Sequence, residues 1–210
     1  MTTPEAVMRD ALAAVRRALA RPGLPSSDHE LAPALPPPGD QPRRAAGVLV
    51  AIQPGPRGPE VVLTKRSSRL RHHPGQIAFP GGKVDPGDAD AVAAALREAE
   101  EEIGLARDNV EVLGTMPAHE TVTGFVVTPV LGRIRAAFTP VPEAGEVAEV
   151  FAVPLAHLAD PAHYRMEQRQ WLGVPRPYWV VPFGPYYIWG ATARMLKALA
   201  DRMAEDAHRG

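Results

Sequence analysis

The segment from Gly81 to Leu105, GGKVDPGDADAVAAALREAEEEIGL, constrains this chain more than any other. Its spacing predicts a helix over roughly Asp90 to Ile103, stopped by Gly104. On a helix, Val92, Ala95, Leu96, Ala99 and Ile103 fall within an arc of about 100°, the stripe that must be buried. Glu98, Glu101 and Glu102 share a second arc of similar width, centred roughly 120° away, and Glu100 points elsewhere. This convergence is costly. Like charges at i,i+3 and i,i+4 oppose helix formation by about 0.2–0.5 kcal/mol per pair, and a helix C-terminus prefers cations. Arg97 offsets only part of the charge, whereas a divalent cation would reverse the sign of the term. A strand predicted at Ile77 to Phe79 runs into Pro80-Gly81-Gly82, and glycine lets a backbone approach a ligand closely. An ordinary solvated acidic face accounts for the charge. It does not account for the acids sharing one face just behind a glycine loop.

The chain has no cysteine, which removes disulfides, thiolate zinc sites and cysteine nucleophiles together. A metal must then sit on oxygen or imidazole, and oxygen donors favour magnesium, calcium or manganese. His72 and His73 are adjacent and do not present two ligands one helical turn apart, so no metal role is expected of them. Ser67 and Ser68 lack the glycine pattern of a nucleophile elbow. Asp85, Asp88 and Asp90 suggest a calcium loop, but a loop starting at Asp85 has Asp90 where glycine is needed and Leu96 where glutamate is needed. With 23 basic and 24 acidic residues the net charge is −1, so no global field favours nucleic acid, and none is expected as a partner. The sequence offers no apolar run long enough for a membrane span and no signal peptide, so a cytoplasmic protein is expected.

Residues 4 to 20 read as an amphipathic helix, with Ala11, Val15 and Leu19 on a face that packs on the core or on a second subunit in a homodimer. Residues 21 to 44, rich in proline and including Pro36-Pro37-Pro38, read as a linker without assigned structure. The chain divides into this N-terminal part, 1–44, and a catalytic domain, 45–210. In the latter, Gly47 to Ile52 and Val61 to Thr64 read as strands around the turn-rich loop Pro54 to Pro59. Further strands are expected at Val110 to Met116, Phe125 to Ile134, Ala148 to Val153, Tyr164 to Trp171 and Tyr178 to Pro182, with a helical turn at Leu155 to Leu158 and a closing helix at Ile188 to Met203. Strands and helices mix without regular βαβ alternation, which gives the class α/β in the broad sense, a mixed α+β fold.

Gly82 through Leu105 resembles the Nudix box, G-x5-E-x7-R-E-U-x-E-E-x-G-U. Arg97, Glu98, Glu101, Glu102, Gly104 and Leu105 match, and Ala99 stands at the first U. Asp88 replaces the first glutamate, and eight residues rather than seven separate it from Arg97. The stretch Leu63 to Ser68, then Arg71 to Gln76, then Phe79 to Gly82, is similar to the coenzyme A pyrophosphatase branch, which shares the aspartate and the longer spacing. Thr121 to Phe125 and Ile188 to Ala193 resemble the same branch. The resemblance runs from about Ala45 to Ala200. It implies a Nudix α/β/α sandwich with a mixed sheet, and a Mg2+ or Mn2+ ion held by Glu98 and Glu102, with Glu101 and the Gly82 carbonyl assisting and Arg97 orienting the acids. The implied reaction is hydrolysis of the pyrophosphate of coenzyme A or its thioesters. ADP-ribose or another nucleoside-diphosphate derivative is the alternative substrate. A non-catalytic Nudix-fold binding module is disfavoured, because all three glutamates are present.

The general base stays open among Glu98, Glu102, Glu146 and Glu149. Lys65, Arg66, Arg69 and Arg71 form a basic run suited to substrate phosphates. Phe125 and Trp189 are candidates for stacking on adenine or lining a pantetheine channel, against an equal claim from core packing.

Overall fold

The structure is a computed structural model that describes residues 3–32, 42–171 and 173–207. Its first element is α1 (Pro4–Ala20), capped by Thr3, whose hydroxyl accepts from the Ala6 N–H, with Pro4 in the first turn. Next come β1 (Ser26–Ser27), α2 (Asp28–Leu31), β2 (Arg44–Gly55), β3 (Gly58–Arg66), β4 (Ile77–Ala78) and β5 (Gly81–Lys83). They are followed by α3 (Ala91–Ile103), β6 (Val110–Thr115), β7 (His119–Glu120), β8 (Phe125–Ile134) and β9 (Val147–Pro154). The remaining elements are α4 (Leu155–Leu158), β10 (Arg165–Trp171), β11 (Val174–Phe183), β12 (Tyr186–Trp189) and α5 (Gly190–Ala207).

The main sheet is mixed. β2 pairs parallel with β8 and antiparallel with β3 and β5; β9 continues from β3, and β6 from β8. Because side chains alternate along a strand, β2 and β3 feed two cores at once. Leu49, Ala51 and Val62 face α3, where Ala95, Ala99 and Ile103 cover them. Val50, Ile52, Val61 and Leu63 face the opposite layer, built from α1, α5 and a second, antiparallel sheet of order β10-β11-β12. A sheet buried on both faces between helices explains the continuous apolar runs in these strands. The stripe predicted on α3 is the buried one, although Val92 and Leu96 sit at its edge. α3 starts at Asp90, whose carboxylate accepts from the Ala93 N–H, and ends at Gly104, which takes a left-handed φ of 71°.

Three local differences from the sequence reading stand out. The loop Pro54 to Pro59 shrinks to a tight turn, because β2 and β3 pair as far as Gly55 and Gly58. Ile188 and Trp189 end a strand, Tyr186–Trp189, rather than starting the closing helix, which begins at Gly190, a residue with φ 68°. Residues 26 to 31 have structure where none was assigned: β1 lies parallel to β7, and Asp28 is buried. Asp28 accepts from Arg176 at 2.9 Å and from the Val122 N–H at 3.2 Å, and meets His119 Nε2 at 3.3 Å. Burial opposes ionisation of this carboxyl, but those partners outweigh it and hold the pKa below the ordinary value. The contacts span about ninety residues or more in sequence, so no local pattern signals them. Pro36-Pro37-Pro38 lies outside the described residues.

α1 packs on the core rather than standing apart. Met8, Leu12, Val15 and Ala18 are buried in the same cluster as Ile52, Leu63 and the α5 residues Leu196 and Leu199. No helix among the described residues is long and apolar enough to cross a membrane.

Candidate active site

β5 lies against β2, with Gly82 opposite Gly47, and α3 crosses directly over it. That arrangement brings the acidic face of α3 to the glycine pair. Glu102 is 5% exposed, and its Oε2 accepts from the Gly81 N–H at 3.1 Å. Burial raises its pKa to about 7, against the pull of that N–H and with the added repulsion of Glu98. Glu98, also largely withdrawn from water, is likewise raised by burial, which outweighs its bond to Arg97. A carboxylate held out of water without a matching cation is costly. The two glutamates most central to the expected metal site are therefore in surroundings that favour a cation.

Arg97 organises the rest. Its Nε and Nη2 grip the Asp88 carboxylate at 3.0 and 2.9 Å, and Nη2 also donates to the Lys83 carbonyl at 3.2 Å. Nη1 donates to Glu98 at 3.0 Å and to Glu101 at 2.9 Å. Asp88 in turn accepts from the Asp85 N–H at 2.9 Å, which pins the loop between β5 and α3. Its bond to Arg97 is the main reason its pKa lies below the ordinary range. So the aspartate at the variant box position acts on the arginine and not on the acidic face. Glu101 remains 57% exposed at its side chain.

The structure brings Glu98 and Glu101 together at Arg97 and turns Glu102 toward Gly81. Among the described residues no three Asp, Glu or His side chains form a ready-made cage. Gly82 nevertheless fits a metal site by shape: a Cβ placed there would lie 2.3 Å from Glu98 Oε1. The Glu98 carboxylate thus rests on the bare Cα of Gly82. Gly82→Ala must push it away, and kcat is expected to fall by about a hundredfold, the scale of losing one preorganised electrostatic group. A circular dichroism spectrum matching the parent, with the rate measured over a metal titration, checks this. Undiminished kcat would mean that Glu98 is free to work elsewhere.

The later acids separate. Glu146, exposed on the loop before β9, adds to the repulsion felt by both Glu98 and Glu102. Glu149 is engaged by the Tyr186 hydroxyl. The basic run also divides. Arg66 and Arg71 line neighbouring cavities, Lys65 faces a different hollow beside Pro185 and Tyr186, and Arg69 is exposed. Ser67 is buried, and its hydroxyl accepts from the Arg69 N–H in a turn. Phe125 and Trp189 line the cavity that holds Arg66, with the Arg44 guanidinium 4.0 Å above the Phe125 ring. Two residues of that cavity were missed by the sequence reading, Arg169 on β10 and Arg176 on β11. In sequence they are isolated arginines in strands, and only the hairpin register unites them.

The model of the NUDIX domain family matches residues 41–172. The chain belongs to the Nudix family. Among curated relatives, an uncharacterized Nudix hydrolase NudL of Citrobacter koseri is 42% identical over 158 residues, covering 75% of this chain and 82% of that protein. NudL of Escherichia coli K12, also uncharacterized, is 43% identical over 157 residues, covering 75% and 81%. A MutT/nudix family protein from Enterococcus faecalis shares the fold, with a TM-score of 0.50 at 15% identity over 82% of this chain and 66% of that one. The mixed fold with a large mixed sheet is that of the Nudix family. The chain is a Nudix hydrolase, a pyrophosphatase of nucleoside-diphosphate derivatives, and enzymes of this family generally need a divalent cation.

Proposed function

We propose that this Nudix hydrolase cleaves the pyrophosphate of coenzyme A or its thioesters, giving 3′,5′-ADP and a 4′-phosphopantetheine product. The observation that carries this reading is the basic segment of the coenzyme A type. Its Arg66 and Arg71 line neighbouring cavities, and the charge of Arg66 is near enough to oppose in part the rise that burial imposes on the Glu102 pKa. Glu98 and Glu102, with Glu101 and the Gly82 carbonyl, would hold Mg2+ or Mn2+, for which an all-oxygen donor set is suited. When bound, the cation neutralises pyrophosphate oxygens and activates water.

The chain's own groups do the rest. Arg97 positions Glu98 and Glu101, and Asp88 positions Arg97. Glu146 takes the proton of the attacking water, because it is exposed and near enough for its charge to be felt by Glu98 and Glu102, whereas Glu149 is tied to Tyr186. Phe125 and Trp189 offer ring faces to adenine. A panel of coenzyme A, ADP-ribose, NADH and diadenosine polyphosphates, assayed with Mg2+ and with Mn2+, tests the substrate. The expected result is a kcat/KM for coenzyme A at least about tenfold above the others, a difference of about 1.4 kcal/mol in transition-state binding. A wide preference for ADP-ribose would overturn the coenzyme A reading and leave the pyrophosphatase in place.

A further inference from the structure

Arg169 and Arg176 are direct cross-strand partners in the β10–β11 hairpin. Like charges placed opposite one another weaken a sheet, and here Arg176 is also buried. Asp28 meets Arg176 at 2.9 Å but is shared with His119. The Arg169 guanidinium lies 4.5 Å over the Trp189 ring. Both arginines face a cavity of about 250 Å3, where Arg66 and His73 join them and Asp28 is the one acid among its described lining residues. A neighbouring cavity of about 530 Å3 shares Arg169, Arg176 and His73 and adds Arg71 and His72.

His73 is the one non-glycine residue with positive φ among the described residues, at 54°. Such a conformation costs energy and recurs where a site dictates it. Partial desolvation, then the charges of Arg66, His72, Arg169 and Arg176, hold its pKa below the ordinary imidazole value. Three guanidinium groups, Arg66 from β3 and Arg169 and Arg176 from the β10–β11 hairpin, therefore converge on one hollow with His73 from the loop before β4.

We propose that Arg169 and Arg176, with Arg66 and His73, form a second anion subsite that takes a phosphomonoester of the substrate, apart from the scissile pyrophosphate. A dianion suits this site. Guanidinium groups grip phosphate oxygens through paired N–H donors, and among the described lining residues the one carboxylate is Asp28, which already meets Arg176. Identifying that phosphomonoester with the 3′-phosphate of coenzyme A rests on the reading above; the subsite itself rests on the hairpin register and the cavity.

The test uses Arg169→Gln, because removing Arg176 would strand the buried Asp28. Isothermal titration with adenosine 3′,5′-bisphosphate and with AMP, in buffer containing chelator, reads the subsite without turnover. The parent is expected to bind the bisphosphate at least about tenfold more tightly than AMP, and R169Q to lose most of that preference. In kcat/KM, R169Q should weaken coenzyme A by about ten- to a hundredfold more than dephospho-coenzyme A. Arg176→Lys, which keeps the charge beside Asp28 but loses the fork, should show the same selective loss in smaller measure. Equal binding of bisphosphate and AMP by the parent, or equal losses on the two substrates, would overturn the subsite. If the parent prefers the bisphosphate yet does not hydrolyse coenzyme A, the coenzyme A reading fails and the subsite stands.

Discussion

Glu102→Gln is expected to lower kcat by about a hundred- to a thousandfold, the range seen when one preorganised electrostatic group is removed, while the protein stays folded. The two results share one cause. Glu102 is buried, and its carboxyl, pushed up to about 7 from an ordinary 4.5, is penalised when ionised. The sign follows from linkage. The neutral acid is the comfortable form in the folded protein, so its contribution is intact below about pH 4.5 and is lost as pH rises through about 7. Glutamine resembles the neutral acid. In chelator, E102Q should therefore melt above the parent at pH 8, by on the order of 5 °C, and the gap should close near pH 5. Differential scanning calorimetry at the two pH values, beside a rate assay at saturating Mg2+, checks both halves. A variant that turns over like the parent would remove Glu102 from the metal site. One that melts lower at pH 8 would show that the carboxylate supports the fold by its charge.

The second large effect is expected from Arg97→Ala, which should cost about a hundredfold in kcat and raise the metal concentration needed for half-maximal rate. Arg97 is the one group that holds Glu98 and Glu101 side by side. Without it their mutual repulsion spreads them, and Asp88, 5% exposed at its side chain, loses its charged partner. Asp88→Asn should show a smaller loss of the same kind, about tenfold, because the fork on Arg97 is weakened but not abolished. Since the two act through one network, their effects should fall well short of adding in a double-mutant cycle. Full additivity would mean that Asp88 acts by a route other than Arg97, and an unchanged metal dependence in R97A would mean that Arg97 does not position the acids.

Local physics makes the acidic helix legible in the sequence. The two stripes of α3 and the stop at Gly104 each follow from spacing within a few residues, whereas the capping role of Asp90 is a finding of the structure. What Asp88 does was not legible. An acid at that box position could face a cation or an arginine, and the choice depends on how the loop from Lys83 folds back over α3. The basic run misled in part for the same reason: four cations close in sequence do not share a face once β3 ends and the chain turns at Ser67, so Lys65 and Arg69 part from Arg66 and Arg71. Arg169 and Arg176 carried no signal at all until the register of β10 and β11 was fixed. Asp28 was invisible for a similar reason, since a lone aspartate in a proline-rich stretch reads as solvent-exposed until distant partners enclose it.

The pairing of α1 with α5 has a consequence for how the protein is made. α1 buries Met8, Leu12, Val15 and Ala18 in a cluster that needs Leu196 and Leu199 of α5, and Arg202 clasps the end of α1 by donating to the Ala18 carbonyl at 3.0 Å. Between Ala20 and Gly190 lie about 170 residues, which a ribosome adds at about 5–20 per second, so α1 emerges some 10–30 s before its partner. For that interval the newborn chain carries an uncovered apolar stripe, open to the off-pathway association that exposed hydrophobic surface invites.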